Sequence, residues 1–330
     1  MIFVMDGVND IETSVAQINE NCERILSKLS SREKYFIFLK DKSAVPFVYS
    51  SLSISGVEVS KNYVKTVVDN GFVDSNQDVK LGNEILEQYD AYIKIFRLVD
   101  QKEITEDDIK GLHKILFSRS EDSSMAGKYP YGKNKVIALK MKDFLQWFNS
   151  SQEVLDVVTF AAMAYQKYIY IHPFKGGNGK MARLVMNLAS LRKMSTPIII
   201  PAEEQTEYER LIKESKEIMS GFVNYIAKCA IETQGMLLKS GVDIYSPKKN
   251  RHLRNLDCSD TVLEVIKNTP GIKIMQIKEF VKQISFIKLQ RTISGLRHKG
   301  LVEFRGPLRS GGYFYIENNI GLTETSEETH

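Results

Sequence analysis

The stretch from His172 to Arg183 gathers the residue types needed to act on a phosphorylated ligand. It holds His172, the run Gly176, Gly177, Asn178, Gly179, and the cations Lys180 and Arg183. Glycines let the backbone bend so that several N–H groups converge on one point. A helix starting there adds partial positive charge. The combination is an anion seat, best matched to phosphates. Lys180 and Arg183 stand three apart, so they share a helix face and can close over one ligand. Histidine takes and gives protons near neutral pH, and His172 stands at the lip of the seat.

Two helices must hold this loop. Apolar spacing predicts one over Val154 to Ile171, with Val154, Leu155, Val158, Ala162, Tyr165 and Ile169 on one face. The second runs from Met181 to Leu191 and is broken by the segment Pro197 to Pro201. Phe174 reads as a core anchor for the loop, and His113 as structural. Further helices are expected over Val8 to Leu29, Asp78 to Val99, Tyr208 to Met219 and Phe222 to Leu238. Thr105 looks like the cap of a helix carrying Ile109, Leu112, Leu116 and Phe117. Ser50 to Gly56 reads as the end of a short helical stretch, stopped by glycine. Met125 to Leu139, with its glycines, Pro130 and a Gly-Lys-Asn turn, is the best hairpin candidate in this half.

Composition fits a globular protein, with 43% hydrophobic and 26% charged residues among 330. Cys22, Cys229 and Cys258 are odd in number and far apart, so they read as reduced thiols of a cytoplasmic protein. No run approaches a membrane span, and the apolar opening Met1 to Met5 is too short for a signal peptide. The net charge of +4 is unevenly placed: Lys248 to Arg309 holds 14 Lys/Arg against 5 Asp/Glu. That surplus points to a polyanion partner.

The expected organisation is an N-terminal helical region over 1–80, a core over 81–240 and a linker over 241–257. A small domain over 258–318 and an acidic tail over 319–330 complete it. In 258–318, helices are predicted over Thr261 to Lys267, Ile274 to Val281 and Phe286 to His298, with Ile287, Ile293 and Leu296 inward. Strands follow at Leu301 to Arg305 and Gly311 to Ile316. This order resembles a winged helix-turn-helix domain. Its third helix would offer Lys288, Gln290, Arg291, Ser294 and Arg297 to DNA, and its wing Arg305 and Arg309. Such domains also serve as dimer or protein modules, so a homodimer stays open.

The central stretch resembles the signature of the Fic (Fic/Doc) family, whose members mostly transfer AMP from ATP to hydroxyl side chains of target proteins. His172, Pro173, Phe174, Gly177, Asn178, Gly179 and Arg183 match that signature. Gly176 stands where the family has a metal-binding acid, and Lys180 where it has its first arginine. The resemblance implies a mainly α, Fic-type helical core with a small β-hairpin flap over the site. It makes His172 the catalytic base. Gly177, Asn178 (backbone and side chain), Gly179, Lys180 and Arg183 become the nucleotide and phosphate ligands. ATP is then the donor. Magnesium arrives on the nucleotide, since no protein carboxylate occupies the expected position.

Many family members also carry an inhibitory helix: Ser or Thr, three variable residues, a glutamate, then Gly or Asn. Ser51 and Gly56 fit its ends, and Ser55 occupies the glutamate position. On that alignment the brake is lost and Arg183 is free to meet a phosphate. A serine-rich helix end that caps itself is the other reading. Two functions follow. One is a protein adenylyltransferase, slowed or altered by Gly176. The alternative is a catalytically weak or inactive nucleotide-binding Fic protein acting as a DNA-binding regulator.

Overall fold

The computed structural model describes residues 8–71, 78–132, 134–241, 258–281, 286–298, 301–305 and 311–316. The chain divides into two compact units, 1–248 and 249–330. The first unit is helical: α1 (Val8–Ser27), α2 (Arg32–Ile54), α3 (Lys61–Asn70), α4 (Val79–Leu98), α5 (Glu106–Leu116), α6 (Asn134–Ser151), α7 (Val157–Ile171), α8 (Asn178–Arg192), α9 (Gln205–Glu214) and α10 (Met219–Lys239).

Several starts are fixed by local chemistry. Ser31, Ser60 and Asp78 accept from the backbone N–H three residues on. Thr105 and Asp108 close a reciprocal capping box at α5. Asp156 accepts from Val158 and Thr159 at the head of α7, both at 2.9 Å.

α8 is the central element. Every residue from Met181 to Arg192 is buried, which marks a helix enclosed on all sides. α7 packs along it, and α2 and α4 contact it as well. α10 covers α7, and α1 lies on α10, where Asn21 donates to Gln234 at 3.1 Å.

Four expectations need correction. Among the described residues, Met125 to Leu139 contains no strand and hence no hairpin flap. A 3-10 turn over Glu121–Met125 leads through an extended passage to α6, which begins at Asn134. Ile137, Met141, Phe144, Leu145 and Phe148 recur at helical spacing and are buried, and this packing overrides the turn residues before them. The supposedly short helix ending near Ser55 is the end of α2, 23 residues long. α7 begins only after its Asp156 cap, so Val154 lies outside it and is 80% exposed. α9 ends at Glu214 instead of running on to Met219.

The second unit holds α11 (Cys258–Asn268), α12 (Ile274–Phe280), α13 (Phe286–His298) and an antiparallel pair, β1 (Val302–Arg305) with β2 (Gly312–Tyr315). Val302 lies opposite Tyr315 and Arg305 opposite Gly312. Val262, Ile266, Ile277, Leu289, Ile293, Leu296 and Val302 form its core. Arg297 is exposed. Arg305 is not free: its Nε donates to Glu303 at 2.6 Å and its guanidinium lies 4.8 Å from the Phe314 ring centre. The side chains of Ile287, Lys288, Arg291 and Ser294 lie outside the described residues, as do Arg309, positions 242–257 of the linker and the acidic tail.

Candidate functional site

α7 delivers the loop. Its last turn ends at His172, whose N–H donates to the Tyr168 carbonyl at 3.2 Å. His172 adopts a left-handed conformation, φ 51° and ψ 58°, which reverses the chain at a cost of about 1–2 kcal/mol. The turn leaves its imidazole exposed. Phe174 is 1% exposed and anchors the loop as expected.

Asn178 closes the turn from inside. Its Oδ1 accepts from the Phe174 N–H at 3.1 Å, and its Nδ2 donates to the Phe174 carbonyl at 2.7 Å. Each end of the Asn178 amide thus makes one bond within the loop. Gly177 precedes α8 with φ 71°, and no side chain caps the helix. A Cβ at Gly177 would stand 2.8 Å from the Phe117 ring, so glycine is required there on both counts. The first N–H groups of α8 have no partner within the helix.

His113 of α5 fastens this loop to the segment after the 3-10 turn. Its ring stacks on Phe174, with centroids 3.8 Å apart. Nδ1 accepts from the Gly127 N–H at 2.9 Å, which places the ring proton on Nε2, and Nε2 donates to the Gly176 carbonyl at 3.0 Å. Burial holds the His113 pKa below the usual histidine value, with the Gly176 bond opposing. His113 is therefore a neutral structural histidine. A cavity of about 600 Å³ lies beyond it, lined in part by Glu106, Lys110, Tyr129 and Tyr131.

Both motif cations have partners. Lys180 is ion-paired with Glu84 of α4. Arg183, 4% exposed, donates from Nε to Ser51 Oγ at 2.9 Å, and from Nη2 to the Ser51 carbonyl at 2.8 Å and Ser55 Oγ at 2.6 Å. Sequence reading had left Arg183 free once the glutamate was lost. Instead the last turn of α2, the negative end of its dipole, holds the guanidinium with neutral groups. Tyr165 and Tyr208, hydrogen-bonded to each other, also lie beside Arg183. Glu84 carries no motif signal, being 96 positions from Lys180.

The metal expectation can be tested against the donors present. Gly176 offers only a carbonyl, already bonded to His113. Among the described residues no group of three His, Cys, Asp or Glu could hold a metal ion. Gly176 itself supplies no side-chain oxygen to a metal ion.

The model of the Fic/DOC family matches residues 103–190. Those residues are a Fic/DOC family domain. It spans α5 to most of α8 and holds His113 and the stretch from His172 to Arg183, whereas Ser51, Ser55 and Glu84 lie outside it. The chain is 30% identical over 219 residues to a protein adenylyltransferase Fic of Drosophila grimshawi, covering 62% of this chain and 45% of that one. It spans about half the length of the curated relatives it matches. The fold is similar to that of Fic-1 from C. elegans, with a TM-score of 0.63 and 22% identity over 69% of this chain and 71% of that one. It is also similar to a Fic domain containing signaling protein from Bacteroides thetaiotaomicron, at TM-score 0.61 and 20% identity, over 72% of this chain and 99% of that one. Among the described residues no helix is long and apolar enough to cross a membrane.

Proposed function

We propose that the chain is a protein adenylyltransferase, moving AMP from ATP to a hydroxyl side chain of a target protein. One observation carries this: an exposed His172 stands on the same short loop as an uncapped helix start flanked by Lys180 and Arg183. The names of the relatives support the same reading.

His172 takes the proton of the target Ser, Thr or Tyr hydroxyl. That oxygen attacks the α-phosphorus, the bond to the bridging oxygen breaks, and pyrophosphate leaves. The N–H groups of Gly177, Asn178 and Gly179 hold the non-bridging oxygens where charge gathers. Lys180 and Arg183 serve the β- and γ-phosphates after leaving Glu84 and the two serines. Magnesium enters with the nucleotide. The free, shielded thiols of Cys22 and Cys229 fit a reducing cytoplasm.

Incubation with labelled ATP and magnesium tests this, comparing wild type with His172→Ala and Gly176→Asp. A Cβ at Gly176 meets nothing within 4 Å, so the new carboxylate fits. Label on the wild type, more on Gly176→Asp and none on His172→Ala is the expected pattern. Absence of label from both wild type and Gly176→Asp rejects the enzyme. Label surviving His172→Ala rejects the base.

Gly176 and the C-terminal basic surplus favour a second reading, a weak or inactive nucleotide binder that regulates through DNA. The three helices and antiparallel pair of 258–316 support a winged helix for that role. On this reading the full chain binds duplex DNA with steep salt dependence, and replacing Lys288, Arg291 and Arg297 abolishes it. Binding that survives those replacements removes the third helix from the interface.

A further inference from the structure

We propose that Glu84 is a positioning residue of the anion seat, an internal competitor that a polyphosphate must displace before Lys180 can engage it. This rests on reading the start of α8 as a nucleotide-phosphate seat.

Lys180 stands in the first turn of α8, the positive end of the helix, where a cation is unfavourable on local grounds. Its partner comes from a different helix. The Nζ of Lys180 meets Oε1 of Glu84, with the two side chains 15% and 30% exposed. Partial burial makes the pair stronger than an exposed one, yet Glu84 keeps enough contact with water to be resolvated when Lys180 leaves. Glu84 is thus the resident anion beside the seat, held by the cation that a ligand needs.

The neighbouring acid, Glu87, also feels the charge of Lys180 but is bonded elsewhere. Glu87 lies one turn further along the same face of α4. It is 4% exposed, accepts from the Arg119 N–H, and burial raises its pKa. Arg183 differs in kind: it donates to neutral hydroxyls and a carbonyl. The ionic restraint on the site therefore falls on Lys180. A lysine stem has the rotational freedom to swing from a carboxylate to a phosphate without moving the helix. A single phosphate seated at the N–H groups leaves the pair intact, whereas a chain of phosphates reaches Lys180 and outbids one carboxylate by charge.

Calorimetric titration of the full chain with ATP, pyrophosphate and AMP decides the matter, using wild type, Glu84→Gln, Lys180→Gln and the double variant. Glu84→Gln should tighten ATP and pyrophosphate by about tenfold and leave AMP unchanged. Lys180→Gln should weaken ATP, and adding Glu84→Gln to it should have no further effect. Unchanged or weaker ATP binding by Glu84→Gln overturns the inference. So does equal tightening with and without Lys180, or equal tightening of AMP. If no variant binds ATP or pyrophosphate, the nucleotide seat itself is refuted and the inference falls with it. ATP binding without coupling between 84 and 180 refutes the inference alone.

Discussion

Nη2 of Arg183 lies 2.6 Å from Oγ of Ser55, the position where the Fic resemblance places an inhibitory glutamate. The contact is a hydrogen bond between a cation and a neutral group. Such a bond contributes about 1.5–3 kcal/mol, and less when a better anion can replace it. The arginine is parked, and a ligand phosphate is the stronger partner.

Ser55→Glu should turn this parking into a lock. An ion pair at Arg183 is expected to weaken ATP binding by about tenfold or more and to raise the melting temperature of the ligand-free chain. Calorimetry and thermal denaturation read both effects. An unchanged ATP affinity would show that Arg183 does not serve the nucleotide.

His113→Ala removes two hydrogen bonds to backbone and the ring stacked on Phe174. Together these should cost about 3 kcal/mol of stability. The pH dependence follows from burial. With the folded pKa below its ordinary value, the unfolded chain binds the proton more readily. His113 therefore contributes stability that is present above the ordinary histidine pKa, and that stability is lost as pH falls through the folded value. Melting temperatures of wild type across that window should drop more steeply with acid than those of His113→Gln.

Neighbouring glycines should respond in opposite ways. Gly177→Ala places a methyl group 2.8 Å from the Phe117 ring in a left-handed conformation, and should cost about 1–3 kcal/mol. Gly176→Ala meets open space and should leave the melting temperature within a degree or so. Equal destabilisation by the two would contradict the loop geometry.

Asn178→Ala strips both bonds that pinch Phe174, at about 2 kcal/mol, and frees the loop while leaving the α8 backbone donors in place. Loss of stability with weakened ATP binding is expected. Weakened binding at unchanged stability would instead mean that the amide meets the nucleotide directly.

The local elements were legible because their causes are local. Asp78, Thr105 and the apolar spacing of α7 and α8 announce themselves within a turn or two. So does the order of helices and strands in the C-terminal unit. The bend before α8 and the start of a helix there belong to the same class. Phe174 as anchor and His113 as a structural histidine were likewise readable from residue type. Met125 to Leu139 was misread because turn residues are visible in sequence, whereas the buried face that draws Asn134 onward into α6 depends on α7 being there.

By itself the sequence determined a glycine-rich loop between two apolar helices, since dihedral preference, capping and periodicity act over a few residues. Packing alone decided what restrains that loop. Ser51 and Ser55 reach Arg183 from 132 and 128 positions away, and Glu84 reaches Lys180 from 96. Attraction between charges and dipoles depends on distance through space, and the folded arrangement of α2, α4 and α8 sets that distance.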